Sequence, residues 1–173
     1  MSYEYLTASL PLLFWGDPPP FPAAEFRSRC VGVLTPDDLA ALDRLLDGRL
    51  DPDAPGFEGA WAAREIQLRN AAAAARGARY GGDARWVRRP HPGWDGGIEQ
   101  SVTDAFVKES PIEREMELDR GRWRAVEDLA RGRPFGREAV FAFALKLRIA
   151  ERWAALTDDA GRAAIAKAAG IMA

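Results

Sequence analysis

The chain has 173 residues, of which 47% are hydrophobic and 29% charged, with 24 basic and 26 acidic side chains. This apolar content and the net charge of -2 exclude an intrinsically disordered chain, and the length suits one domain with a sizeable core. The single cysteine, Cys30, excludes a disulfide framework and zinc sites built from several cysteines. The single histidine, His91, excludes the common sites with two or three histidines, although an all-carboxylate metal site stays open.

The N-terminal segment carries no predicted targeting or membrane signal. Residues 5–15 are apolar, but the stretch is short, contains Pro11 and lacks a basic leader, so we do not predict a signal peptide. No segment approaches the ~20 apolar residues that span a bilayer. We therefore expect a cytoplasmic protein that is not inserted in the membrane.

Start and stop signals divide the chain into an N-terminal arm and about seven helices. The prolines between residues 18 and 22 exclude a helix interior, so we predict that residues 1–21 form an extended apolar arm over the helices. Thr35 followed by Pro36 marks one helix start, and the capping box from Ser110 to Glu113 marks another. The predicted helices cover residues 22–30, 36–48, 57–80, 97–109, 111–131, 137–156 and 157–170. No segment alternates as a strand does, so the sequence predicts a single all-α domain, 1–173.

A basic loop interrupts an otherwise balanced chain. Residues 61–93 carry seven arginines against two acidic residues, whereas residues 1–60 carry ten acidic and four basic ones. In the loop of residues 81–96, hereafter the Arg/Trp loop, the arginines and tryptophans are Arg85, Trp86, Arg88, Arg89 and Trp94. Such loops can bind nucleic acid, but the chain lacks the basic excess that phosphate binding needs, so no nucleic acid is expected.

Two further interpretations of the Arg/Trp loop follow from its composition. The more economical one is a solvated loop whose arginines pair with the protein's own acidic N-terminal third. The other is a surface for a protein partner, because exposed tryptophan and arginine side chains are typical of such surfaces.

Two carboxylates interrupt the apolar faces of predicted helices. Glu65 lies between Trp61 and Leu68, and Asp119 lies between Met116 and Trp123. The second apolar face comprises Ile112, Met116, Trp123, Val126 and Ala130. Because a carboxylate buried without a partner is costly, each should pair with an arginine, the candidates being Arg69, Arg120, Arg122 and Arg148. A structural ion-pair network of Glu65, Arg69, Asp119 and Arg148 is favoured over a metal site or an acid/base pair, since no histidine lies at ligand spacing.

The sequence contains no recognised catalytic constellation. Cys30 lies in no nucleophile signature, the serines lie in no elbow motif, and the glycine pairs match no phosphate-binding fingerprint. We therefore expect a protein without catalytic residues, cofactor or metal.

Three stretches occur in a fixed order after the opening YLTASLP of residues 5–11. They are WAAREIQLRN at residues 61–70, the run with ESPIE and LDRGRW at 109–123, and ALKLRIAERW at 144–153. Together they resemble an uncharacterised bacterial family encoded in V-type (A-type) ATPase operons. Residues 111–129 are also similar to the repeats of one V/A-type ATPase component, lettered C in prokaryotes and d in eukaryotes. That component, hereafter the socket subunit, is a helical socket between the central rotor shaft and the proteolipid ring.

The resemblance implies a non-catalytic subunit or assembly factor, and in its most specific form a connector between rotor shaft and ring like the socket subunit. Its partners would be the central stalk and the proteolipid ring of a V/A-type ATPase, contacted from the cytoplasmic side at the membrane periphery. The alternative is a small-ligand-binding or enzymatic helical protein that uses the seam between Glu65 and Asp119.

Overall fold

Helices account for all the regular structure that the computed structural model describes, which covers residues 3–82 and 84–156. The α-helices are α1 (Glu4–Ser9), α2 (Ala23–Cys30), α3 (Pro36–Leu46), α4 (Phe57–Tyr80), α5 (Gly96–Val107), α6 (Pro111–Ala130) and α7 (Arg137–Ala154). A 3₁₀ helix, Ala84–Val87, lies between α4 and α5. Within these ranges there is no β-strand, so the predicted all-α fold is confirmed. The predicted last helix, residues 157–170, lies outside the described residues.

The first helix corrects the prediction of a fully extended arm over residues 1–21. The prolines restrict only the chain from Pro11 onward, and the six residues before Leu10 form α1. Tyr3 anchors this helix, because its hydroxyl donates to Asp38 and its backbone N–H donates to the Phe135 carbonyl at 2.6 Å. The arm is thus attached to α3 and to the turn before α7.

Only part of the predicted arm covers the helices. Leu10 and Leu13 pack against the core, whereas Leu12 and Phe14 are exposed. Trp15 lies edge-on to Trp123 of α6, with the ring centres 5.6 Å apart.

Helix starts agree with the sequence at α3 and differ at α6. The Thr35 hydroxyl accepts from the Asp38 N–H at 3.2 Å, which confirms the predicted cap. Ser110 occupies the N-cap position of α6, but its side chain makes no capping hydrogen bond, so the predicted capping box is wrong. The Arg114 guanidinium holds this turn instead, by donating to the carbonyl oxygens of Lys108 at 3.0 Å and Glu109 at 2.7 Å.

Helices α4 to α7 enclose most of the core, and α2 and α3 pack on α7. Helices α5 and α6 approach closely at Gly121, where an added Cβ atom would lie 2.6 Å from the Ser101 Cβ. Trp123 and Val126 are buried as predicted, but Ile112 and Met116 are 57% and 38% exposed. The first turns of α6 lie at the edge of the bundle, which explains why the apolar stripe does not continue inward there.

The described helices include none that combines the length and apolarity needed to cross a membrane.

Candidate functional site

A buried ion-pair network joins α4 to α6. Glu65 and Asp119 are 4% and 1% exposed, so both carboxylates are buried on the apolar faces of α4 and α6, as their sequence positions predict. One arginine, Arg122, lies between them: its Nε donates to Glu65 Oε2 at 2.8 Å and its Nη1 to Asp119 Oδ1 at 2.7 Å. Burial opposes the charge on Arg122, but the two carboxylates outweigh that effect and raise the pKa of the guanidinium above its ordinary value.

The remaining carboxylate oxygens of this network also have donors. Glu65 Oε1 accepts from Arg69 Nε at 2.7 Å. Asp119 Oδ2 accepts from the Trp153 indole N–H at 2.8 Å and lies 2.9 Å from Arg152 Nη2. Because each of the four oxygens already accepts from an arginine or an indole, metal binding or proton transfer here would require displacing these donors.

The arginine partners are only partly those that the sequence singled out. Arg69 binds Glu65, whereas Arg148 makes no ion pair with another described residue and Arg120 pairs with Glu117. Arg152, one turn beyond Arg148 on α7, takes the expected place beside Asp119. Helical periodicity places Arg148 and Arg152 on one face but does not decide which of them reaches the carboxylate, so the sequence could not choose between them.

The Arg/Trp loop is attached to α4 by two side-chain amides. Asn70 Nδ2 donates to the Arg89 carbonyl at 2.8 Å, and Asn70 Oδ1 accepts from the Arg89 N–H at 3.0 Å. Gln67 repeats the arrangement with Asp95: its Nε2 donates to the carbonyl at 3.0 Å and its Oε1 accepts from the N–H at 2.9 Å. Each amide therefore pairs with a loop backbone as a neighbouring strand would.

Asp95 fixes the end of the loop to two helices at once. Its Oδ2 accepts from Arg64 Nε at 2.7 Å, and its Oδ1 caps α5 by accepting from the N–H groups of Gly97 and Ile98. Burial opposes ionisation of Asp95, but the hydrogen bonds from Arg64 and the two N–H groups lower the pKa of its carboxyl below the ordinary value. This cap was not predicted, although the Asp-Gly-Gly run at the start of α5 could have indicated it.

The outer face of the loop presents arginine and tryptophan side chains to solvent. Arg88 and Arg89 are exposed and make no ion pair with another described residue, so the expected pairing with the acidic N-terminal third is absent for both. Trp94 is 73% exposed and lines one cavity of about 430 Å³ with Arg88 and His91. Arg85 is exposed, and the side chain of Trp86 lies outside the described part of the structure.

Further apolar side chains are exposed where α4 and α5 end and α6 begins. Tyr80, Val87, Val107 and Ile112 are between 57% and 77% exposed. The element ends are linked, since Arg79 Nη1 donates to the Phe106 carbonyl and Arg114 Nη1 to the Tyr80 hydroxyl, both at 3.3 Å. Exposed apolar side chains grouped near exposed arginines are typical of a protein-binding surface.

A metal centre was left open by the sequence only as an all-carboxylate site. Within the described residues, no group of three or more His, Cys, Asp or Glu side chains is placed to hold an ion. The one buried side-chain nitrogen or oxygen in this part of the chain without a hydrogen-bond partner is His91 Nδ1.

The C-terminal part of the chain matches a known family. Residues 100–169 match the sequence model of a family described as "Protein of unknown function (DUF2764)", so the matched segment includes α6, α7 and Asp119 but not residues 61–70. No curated protein and no solved structure matches the chain.

Proposed function

We propose that this protein is a non-catalytic binding component of a V/A-type ATPase, either a subunit or an assembly factor. It uses the Arg/Trp loop to bind an acidic surface of a central-stalk or ring subunit on the cytoplasmic side. A connector role like that of the socket subunit, between rotor shaft and proteolipid ring, is the specific form that the resemblance of residues 111–129 suggests.

One observation carries the proposal: hydrogen bonds from α4 hold the loop backbone at two points, yet the described arginine and tryptophan side chains of the loop are exposed. Gln67 and Asn70 fix its backbone, while Arg88, Arg89 and Trp94 are exposed. A segment held in one conformation loses little entropy on binding, and tryptophan and arginine are the residues that dominate interface energies. The loop therefore suits a protein partner better than an unattached solvent loop would.

The choice of partner rests on the resemblance and on charge. The stretches 61–70, 109–123 and 144–153 support a V/A-type ATPase, and exposed arginines suit an acidic patch on one of its subunits. Arginine-to-carboxylate contacts at the rim of an interface would speed encounter and make it sensitive to salt.

The alternative, a small-ligand or enzymatic function at the seam of Glu65 and Asp119, has less support. Both carboxylates are buried and fully engaged by Arg69, Arg122 and their neighbours. Such an arrangement connects α4 to α6 and leaves neither carboxylate poised as a general base.

Co-purification of the tagged full-length protein with ATPase subunits tests the proposal. The double variant Arg88→Ala/Trp94→Ala should lose the subunits without a lower melting temperature, since Arg88 has no ion pair among the described residues to lose. Arg131→Ala, which removes an exposed arginine paired with Asp128, is the matched control and should co-purify as wild type does. Unchanged association of the double variant would remove the loop from the interface, and no association of wild type would refute the function.

A further inference from the structure

A second groove, of about 480 Å³, lies over the ion-pair network between the end of α3 and helices α4, α6 and α7. Its walls carry four arginines and three carboxylates, namely Arg69, Arg122, Arg148, Arg152, Glu65, Asp119 and Glu151. The groove therefore has a formal excess of one positive charge. No described residue of the Arg/Trp loop lines it.

Two of the three acidic side chains of this groove are paired with arginines, and the third, Glu151, accepts one backbone hydrogen bond. Glu65 and Asp119 accept from the arginines and the indole described above. Glu151 Oε1 accepts from the backbone N–H of Ala23 at 2.7 Å, which fixes the start of α2 to α7. Every oxygen of Glu65 and Asp119 therefore has a donor, whereas Glu151 makes no ion pair with a described residue and keeps its Oε2 without a described partner.

The arginines, in contrast, keep donors that no described residue uses. Arg148 makes no hydrogen bond or ion pair with another described residue, and it is exposed. Within the same part of the chain, Arg69 donates only through Nε, and Arg152 contacts carboxylates only through Nη2. Several guanidinium N–H groups with excess positive charge thus face one concave space.

We propose that this groove binds a small organic oxyanion, a phosphate ester or a carboxylate, with the anionic group on Arg148 and its arginine neighbours. Guanidinium groups recognise planar and tetrahedral oxyanions through paired, charge-assisted hydrogen bonds. The apolar part of the ligand would contact Leu45, Leu50 and Ile149, which line the same groove. The volume lies within the range of small-molecule sites, and this site is separate from the proposed partner surface.

Isothermal titration calorimetry of the full chain with phenyl phosphate, at constant ionic strength, tests this site. Arg148→Gln should weaken binding about tenfold, because charge-assisted hydrogen bonds to the anion are lost. Arg148→Lys keeps the positive charge but not the planar guanidinium, so its affinity should lie between those of wild type and Arg148→Gln. Arg131→Gln, which changes a distant exposed arginine, should bind as wild type does. Because Arg148 pairs with no described residue, replacing it leaves none of them without a partner. The melting temperature of the unliganded variant should therefore equal that of wild type.

The probes also distinguish the chemistry of the ligand. Tighter binding of phenyl phosphate than of benzoate would identify a phosphate ester, the reverse would identify a carboxylate, and inorganic phosphate measures the anionic part alone. Equal affinity of wild type and Arg148→Gln, or no binding of any probe at about 10 mM, would overturn the site. Neither result would affect the proposed function, because the groove and the Arg/Trp loop share no described residue. For the same reason, the Arg88→Ala/Trp94→Ala variant should bind phenyl phosphate as wild type does.

Discussion

Arg122 of α6 donates two hydrogen bonds to Glu65 of α4, at 2.8 and 3.2 Å, across a largely apolar helix interface. The same guanidinium donates to Asp119 one turn earlier on its own helix. A single arginine thus forms ion pairs with both carboxylates that interrupt the apolar faces. Its loss would leave two buried negative charges with fewer hydrogen-bond donors.

Replacing Arg122 with methionine should lower the free energy of unfolding by about 3–5 kcal/mol, because removing one member of a buried ion pair leaves an uncompensated charge. Urea denaturation monitored by circular dichroism measures this. The control Arg131→Met breaks an exposed pair and should cost less than about 1 kcal/mol. Similar losses in the two variants would mean that the network contributes no more than a surface ion pair.

The packing at Gly121 gives a second expectation. In an unobstructed helix, Gly→Ala stabilises by about 1 kcal/mol, but here the new methyl group would meet Ser101 at 2.6 Å. We expect Gly121→Ala to destabilise the fold by about 1–3 kcal/mol, as overpacking does. The double variant Gly121→Ala/Ser101→Gly should recover part of this loss in thermal unfolding, and a stabilised single variant would contradict the close approach of α5 and α6.

Local signals predicted the helices well because caps and stop residues act over only a few positions. Helix α4 begins and ends where Phe57 and the Gly81-Gly82 pair indicate, and Thr35 caps α3 as expected. The same local rules failed at α1, where the effect of later prolines was extended to residues that they do not restrict.

The candidate site was predictable only in part. Periodicity identified Glu65 and Asp119 as buried, since a polar residue on an apolar face is a local pattern. Which arginine reaches them depends on how α4, α6 and α7 pack against one another, and local sequence patterns do not determine that packing. The attachment of the loop to Gln67 and Asn70 likewise joins residues distant in the chain, so their spacing alone gave no signal.

Acid should destabilise the protein partly through Asp38. Burial opposes its charge, but hydrogen bonds from Tyr3, Arg137 and Thr35 outweigh this and hold the pKa of Asp38 below its ordinary value of 3.8. A lowered pKa in the folded state means that the charged carboxylate stabilises the fold above about pH 4, and this contribution is lost as the pH falls through the folded-state pKa.

The variant Asp38→Asn tests that contribution by urea unfolding across the acidic range. Its free energy of unfolding should lie below that of wild type near neutral pH, and the gap should narrow below about pH 4. A gap that stays constant with pH would show that Asp38 acts through its shape and hydrogen bonds and not through its charge.

The Cys30 thiol should be unreactive toward thiol reagents in the folded protein. Burial raises the pKa of its thiol to about 11, against a smaller opposite effect of Arg27, and the side chain is fully buried in the core. We expect a disulfide reagent to label Cys30 at mildly alkaline pH only after denaturant is added. Rapid labelling of the native chain would contradict this burial.

The same shift gives Cys30 a stability effect of defined sign. Because the raised folded pKa disfavours the thiolate, stability should fall as the pH rises above the unfolded thiol value of 9.0. Cys30→Ala removes the titrating group, so it should reduce this alkaline loss even though the cavity it creates lowers stability at every pH.

The attachment of the Arg/Trp loop to α4 provides the prediction that links the fold to the proposed function. Asn70→Ala removes both hydrogen bonds to Arg89 but alters no side chain on the loop's outer face. Hydrogen exchange of the Arg89 amide should therefore accelerate, while amides inside α6 and α7 keep their protection.

If the rigidity of the loop contributes to partner binding, the same variant should co-purify less ATPase, because more conformational entropy is then lost on association. The control Asn70→Asp keeps an acceptor for the Arg89 N–H but loses the donor to its carbonyl, so its exchange and binding should fall between those of alanine and wild type. Faster exchange with undiminished binding would separate the attachment of the loop from the proposed function, whereas unchanged exchange would show that Asn70 does not hold the loop.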